Sequence, residues 1–209
     1  MDTLVSASPP THKTSATSVP PKVDGRRERT KRTHAAIVEA LTALLDEGRI
    51  EPTAAEIAAR AGVATRSVGQ HFASREQLML AVAAHHQARL TSSPIDVGAS
   101  LKVRLASFVR DRTRILEGSR AMRRAAAVVA DRSSAVTTAL ARVARQRRQE
   151  SALLFAAEIA RCDDPLATER TVALLTSGRA WDALREDLGL STKAAAAQVA
   201  RMLDDALRR

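Results

Sequence analysis

Two side chains suited to base recognition lie one helical turn apart near the middle of the first half of the chain. Arg66 and Gln70 are four positions apart, so a helix would place them on one face. An arginine guanidinium can donate two parallel hydrogen bonds to guanine, and a glutamine amide can pair with adenine, in the major groove of DNA. The alternative is that both are solvated polar residues without a binding role.

Polar residues around this pair are suited to the DNA backbone. Hydroxyl and basic groups bind phosphate, particularly at helix N-termini. For His71 the alternative is a structural role beside Phe72, which we expect in the core. The candidates are Thr53, Thr65, Ser67, His71 and Arg75.

A basic segment, RRERTKR, occupies residues 26–32 and contains five basic residues and one acidic residue. Such an arm can contact phosphates or enter an adjacent minor groove. A solvated helix start is the alternative. The residues expected to contact DNA are Arg26, Arg27, Lys31 and Arg32.

The local signals around these side chains predict two short helices joined by a tight turn, followed by a third helix, which is a helix-turn-helix. Side-chain caps start the helices, and a glycine in the left-handed conformation ends the first of them. The expected signals are Thr53 with Glu56 and Ser74 with Gln77 as capping boxes, Thr65 as an N-cap, and Gly62 as the stop.

This segment resembles the DNA-binding domain of the TetR family of transcriptional regulators, whose pattern is roughly T-x-x-x-I-A-x-x-A-G-V-S-x-x-T-L-Y-x-H-F-x-S-K-E-x-L. One departure is not conservative, because Gly69 stands where the family usually has a tyrosine that contacts the DNA backbone. Glycine also weakens a helix by up to ~1 kcal/mol relative to alanine. The matching residues are Thr53, Ile57, Ala58, Ala61, Gly62, Val63, His71, Phe72, Ser74, Glu76 and Leu78.

Helical periodicity and abundant alanine predict an all-α fold with two domains. Residues 1–25 are rich in Pro, Ser and Thr, and we expect a disordered arm. Residues 26–90 are expected to form a three-helix DNA-binding domain of the helix-turn-helix type. The sequence TSSP at 91–94 breaks the pattern. Residues 95–209 are then a helical domain, for which the resemblance implies effector binding and dimerisation.

Two helices at the end of the chain, over about 166–188 and 192–208, carry apolar stripes with small residues. The resemblance implies that they pair two subunits. Packing within their own subunit is the alternative. Another helix is expected from the break at 131–133 to about residue 161. The interface candidates are Val172, Leu175, Ala183, Leu184, Ala196, Val199 and Leu203.

The resemblance also implies a pocket for a small-molecule effector in the second domain. Ordinary core packing is the alternative for every candidate. Arginines at 120, 123, 124, 142, 145, 147 and 148 suggest an anionic ligand or simply solvated helix faces. The candidate lining residues are Phe108, Ile115, Met122, Leu154, Phe155 and Trp181.

Composition and motifs narrow the class of protein. The net charge of +10 suits a polyanionic partner, although a bias of the genome towards arginine is the alternative cause. The sequence lacks the common hydrolase, nucleotide-binding and metal motifs, so we expect no enzyme, cofactor or metal site. With one cysteine and no long apolar run, we expect a cytoplasmic protein without membrane contact.

Together these features predict a homodimeric repressor that a small molecule releases from a palindromic site on double-stranded DNA. An activator, or an architectural DNA-binding protein without an effector, is the alternative.

Overall fold

Residues 25–209 are described by the structure, a computed structural model, and they form helices and loops without a strand. This agrees with the all-α prediction. The helices are α1 (Gly25–Asp46), α2 (Ala54–Ala61), α3 (Thr65–His71), α4 (Arg75–Arg89), α5 (Leu101–Gly118), α6 (Arg120–Ala130), α7 (Ser134–Leu154), α8 (Ala156–Ile159), α9 (Pro165–Leu175), α10 (Gly178–Asp182) with a π-helical turn (Ala183–Asp187), and α11 (Thr192–Ala206).

The helix-turn-helix forms largely as its local signals predict. The Thr53 hydroxyl accepts from the Glu56 amide, and the Glu56 carboxylate accepts from the Thr53 amide at 2.7 Å, which completes the capping box. Gly62 ends α2 at φ 67°, in the left-handed region. The prediction that Thr65 caps α3 is wrong. The extended N-cap residue is Ala64, which has no side-chain acceptor, so Thr65 is the first helical residue.

The second predicted capping box is modified. The Ser74 hydroxyl accepts from the Gln77 amide at 3.1 Å, as expected. The Gln77 side chain, however, accepts from the Ala73 amide at 3.0 Å instead of returning to Ser74. Both contacts still satisfy free amides at the start of α4.

Two long helices of the prediction are broken in the structure. The helix expected to reach residue 161 ends at Leu154, and the short α8 follows Phe155. The helix expected over 166–188 stops at Leu175, because the Ser177 hydroxyl accepts from the Ala180 amide and starts a new helix. A π-helical turn then leads to Gly189, which has φ 62°.

A first hydrophobic cluster holds the helix-turn-helix on α1 and α4. Ile37, Leu41 and Leu45 of α1 are almost fully buried against residues of α2, α3 and α4. The cluster also includes Ala125 and Ala126 of α6. The apolar contacts of the DNA-binding half therefore continue across the predicted boundary at 91–94 into the second half.

A second hydrophobic cluster lies among α5, α8, α9, α10 and α11. Trp181 is its largest buried side chain, and its indole N–H donates to Glu117 Oε1 at 2.7 Å. Burial by itself raises the pKa of Glu117, but hydrogen bonds from Arg185 and Trp181 outweigh burial and lower it. The buried indole is thus anchored to the end of α5.

Polar contacts also join the two halves. The Ser133 hydroxyl, which caps α7, also donates to the Glu76 carboxylate in the first turn of α4. The expected arm lies outside the described residues apart from Gly25, which begins α1. Among residues 25–209, no helix is long and apolar enough to cross a membrane.

Candidate nucleic-acid interface

The α3 helix presents Arg66 and Gln70 to solvent on the face away from its buried Val68. Neither side chain forms a hydrogen bond or ion pair with any residue from 25 to 209. The donors of the Arg66 guanidinium and the Gln70 amide therefore remain available for DNA. Both residues lie on a short helix that is anchored through the buried Val68. This is the arrangement that base recognition in the major groove requires.

The other α3 candidates differ in exposure. Thr65 is exposed, and Ser67 and His71 are half-buried. The rings of His71 and Phe72 both lie near the ring of His34 in α1, with centroids 6.3 and 4.5 Å from it. Phe72 is buried, as predicted. For His71 this packing agrees with the structural alternative, and a phosphate contact stays a prediction.

Thr53 and Arg75 already have partners in the folded chain. The Thr53 hydroxyl donates to Glu56 Oε2 at 2.9 Å, so a phosphate would have to compete for that proton. The Arg75 guanidinium donates to the Pro52 carbonyl at 3.1 Å, which ties the start of α4 to the loop before α2. Arg75 remains exposed, and its unused donors can still reach a phosphate.

The basic segment forms the first two turns of α1. Arg26, Arg27, Lys31 and Arg32 are all exposed, and the first three line a shallow surface cavity of about 420 Å³. Lys31 and Arg32 form no hydrogen bond or ion pair with the described part of the chain. The structure thus supplies a helical, solvent-facing cluster of positive charge at this end of the molecule.

The structure does not bring together the six residues predicted to line an effector pocket. Phe108 and Phe155 meet edge to face, with ring centroids 5.3 Å apart, and Leu154 and Trp181 belong to the same cluster. Ile115 is buried on α5. Met122 packs on the first cluster instead. A second surface cavity, of about 440 Å³, lies beside Cys162 and is lined by none of these six residues.

Most interface candidates lie inside the protomer. Val172, Leu175, Val199 and Leu203 are buried in the second cluster, where they join α9 to α11. Ala183, Leu184 and Ala196 are half-buried. The apolar side chains that these elements expose are different ones, namely Leu166, Leu174, Leu188 and Met202.

Three buried charged residues, Arg104, Arg112 and Glu158, were missed by the sequence analysis. Arg112 lies on the apolar face of α5 and is 5% exposed. A signal was present, because Arg112 falls four residues after Phe108 and four before Leu116, in the helical spacing of the core positions. The arginine set considered from the sequence began only at residue 120.

The structure brings together no metal-binding cluster among residues 25–209. His85 and His86 follow one another in α4, and the Nε2 atoms of both are buried without a hydrogen-bond partner in this part of the chain. Burial lowers the pKa of His86. Cys162 is buried, and its thiol lies 3.4 Å from the Glu158 carbonyl oxygen as a hydrogen-bond donor.

A capped two-helix unit with a free Arg–Gln face, beside a basic helix start, defines the class of helix-turn-helix DNA-binding proteins. Residues 37–82 match the model of the bacterial regulatory proteins of the tetR family. A solved protein from Mesorhizobium loti assigned to the TetR family of transcriptional regulators has 19% identity and a TM-score of 0.54, over 86% of this chain and 95% of that chain. This likeness shows a shared fold. No curated protein matches the chain.

The chain therefore contains a segment, residues 37–82, that is similar to the DNA-binding domain of the tetR family of bacterial regulatory proteins. The function that this domain indicates is DNA-binding regulation of transcription.

Proposed function

We propose that the protein is a homodimeric repressor that binds a palindromic operator and is released by a small-molecule effector. The single observation that carries DNA recognition is the exposed pair Arg66 and Gln70 on α3, whose side chains have no partner among residues 25–209. The basic start of α1 supports it, because clustered cations bind phosphates through counterion release. Residues 26–90 would bind DNA, and residues 95–209 would bind the effector and form the dimer. Action on DNA would place the protein in the cytoplasm.

The exposed leucines of the C-terminal half support dimerisation. Leu166, Leu174 and Leu188 are each more than half exposed on or next to α9 and the π-helical turn. Burying a leucine side chain contributes about 1.5–3 kcal/mol, so a second copy that covers them would gain substantial free energy. A symmetric dimer places two α3 helices on one face of DNA, and this geometry favours a palindromic site.

The packing of α6 supports control by an effector. Ala125 and Ala126 of α6 are buried against α1 and α4, while Arg123 of α6 donates to Asp182 of α10 at 2.5 Å. A movement of α6 would therefore reach both the DNA-binding helices and α10. A ligand that binds the protein more tightly in one position of α6 than in another favours that position. It can change the affinity for DNA by no more than the difference between its own affinities for the two positions.

Selection of bound sequences from a random double-stranded DNA pool, at stated salt and with the full chain, tests this proposal. An enriched palindrome, followed by a gel shift with a half-site control, is the expected result. Binding without enrichment that fades as salt rises would instead support an architectural protein. Repression and activation are then separated by a reporter gene placed behind the selected site.

A further inference from the structure

Two buried arginines on one face of α5 differ in their partners. Arg104 is 6% exposed and Arg112 is 5% exposed. Arg104 is satisfied, because it forms an ion pair with Glu158 and donates to the carbonyls of Leu154 at 2.5 Å and Ala99 at 3.0 Å. Arg112 forms no hydrogen bond or ion pair with any residue between 25 and 209.

Arg112 lies against an aromatic ring and near charged side chains of both signs. Its guanidinium carbon lies 4.9 Å from the centre of the Phe108 ring, and that ring meets Phe155 edge to face. Burial, together with the neighbouring positive charge of Arg147, lowers the pKa of Arg112 to about 10. The side chain is still a cation at neutral pH, in a place that disfavours cations.

The nearest carboxylates are engaged elsewhere. Asp111 Oδ1 accepts from Arg114 at 2.7 Å. Glu150 Oε2 accepts from Arg147 at 3.2 Å, and Glu150 Oε1 accepts from Gln146 at 3.0 Å. Their charges reach Arg112 only through space. A buried cation without a hydrogen-bonded counter-ion is costly, so the fold carries a charge that an anion from outside would compensate.

We propose that Arg112 and Arg147 form an anion-binding site that takes the carboxylate of a small apolar acid. A guanidinium group offers the planar pair of donors that a carboxylate accepts, and the Phe108 ring, whose centre lies 4.9 Å from the Arg112 guanidinium carbon, would contact the apolar body of the acid. The identification of this acid as the effector rests on the proposed function, whereas the anion site itself does not.

The site has a direct connection to the DNA-binding half. Arg147 donates to the Ser92 hydroxyl at 2.8 Å and to the Leu90 carbonyl at 3.4 Å, at the end of α4. A carboxylate bound to Arg147 competes for the same donors. Occupation of the site therefore loosens the hold of α7 on the C-terminus of α4.

Calorimetric titration of the full chain with benzoate at low ionic strength tests the site. Benzamide is the neutral isostere, and inorganic phosphate is the anion without an apolar body. Arg112→Met removes the charge and keeps an apolar stem, while Arg110→Met removes the same charge from the exposed face of α5. We expect benzoate to bind the unmodified chain and Arg110→Met equally, and Arg112→Met roughly tenfold or more weakly. Benzamide and phosphate should bind much more weakly than benzoate.

Arg112→Met should fold and melt at the same or a higher temperature, because it removes an uncompensated buried charge. The proposal would be overturned if the unmodified chain did not bind benzoate, or if Arg112→Met bound it equally well. It would also be overturned if Arg110→Met lost as much affinity for benzoate as Arg112→Met. DNA selection with the same preparations reports separately on the proposed function. If a palindrome is enriched but benzoate does not bind, only the proposed anion site is refuted. If benzoate binds but no DNA sequence is enriched, only the proposed operator recognition is refuted.

Discussion

Replacing Arg66 with alanine separates base recognition from folding. Arg66 has no partner in the folded chain from residue 25 onwards, so the free energy of unfolding should change by less than about 0.5 kcal/mol. If the guanidinium forks to guanine, its loss costs about 1–3 kcal/mol of binding free energy at the selected site. The dissociation constant should then rise roughly 5- to 150-fold.

Arg60→Ala is the matched control, because it removes the same charge from the neighbouring helix α2. The Arg60 guanidinium donates to both Glu47 oxygens, at 2.7 and 2.8 Å, so it is occupied within the protein. This exposed pair adds little stability, and its loss should lower the melting temperature slightly. The affinity of Arg60→Ala for the selected site should fall only by the small, sequence-independent effect of one charge.

Fluorescence anisotropy with the selected site and a scrambled duplex, over a series of salt concentrations, measures both effects. Arg66→Ala should lose preference for the selected site, and Arg60→Ala should keep it. Equal losses of affinity in the two variants would refute base recognition by Arg66 and reduce its role to general attraction of phosphate.

Three further predictions concern stability and assembly. Gly69→Ala should raise the free energy of unfolding by up to about 1 kcal/mol in urea melts, because a Cβ at this helical position meets no atom within 4 Å; a destabilised variant would contradict this. Arg104→Met should lower the free energy of unfolding at pH 7 by about 3–5 kcal/mol, because it leaves Glu158 charged and buried. Burial raises the pKa of Glu158, but Arg104 outweighs burial and holds the pKa below the ordinary 4.5. The ion pair therefore stabilises the fold above that pH. The difference in the free energy of unfolding between Arg104→Met and the unmodified chain should shrink as the pH falls. Leu174→Glu should shift the chain from dimer to monomer in sedimentation, whereas Val97→Glu, at a residue that is 70% exposed, should not; equal effects would remove the α9 surface from the interface.

The helix-turn-helix could be predicted from local sequence signals alone. Thr53 with Glu56, Gly62 and Ser74 place its helix ends correctly, because caps act over three or four residues of the same chain. The exposed face of α3 follows from the same local periodicity. The prediction of Thr65 as the N-cap was wrong because Ala64 has the extended N-cap conformation. Side-chain preference alone does not determine which of two neighbouring residues adopts that conformation.

The residues that cover each apolar helix face could not be predicted from the sequence, because they depend on how the helices pack. The periodicity of α9 and α11 marks Val172 and Leu203 as apolar positions, but these pack inside one protomer, at 1% and 0% exposure. The same limit applies to α5, where Arg104 and Arg112 occupy equivalent core positions. Arg104 pairs with a carboxylate from α8, whereas Arg112 pairs with none in the described part of the chain. The sequence could not show this difference, because the partners of α5 come from residues that are distant in the chain and are brought close only by packing.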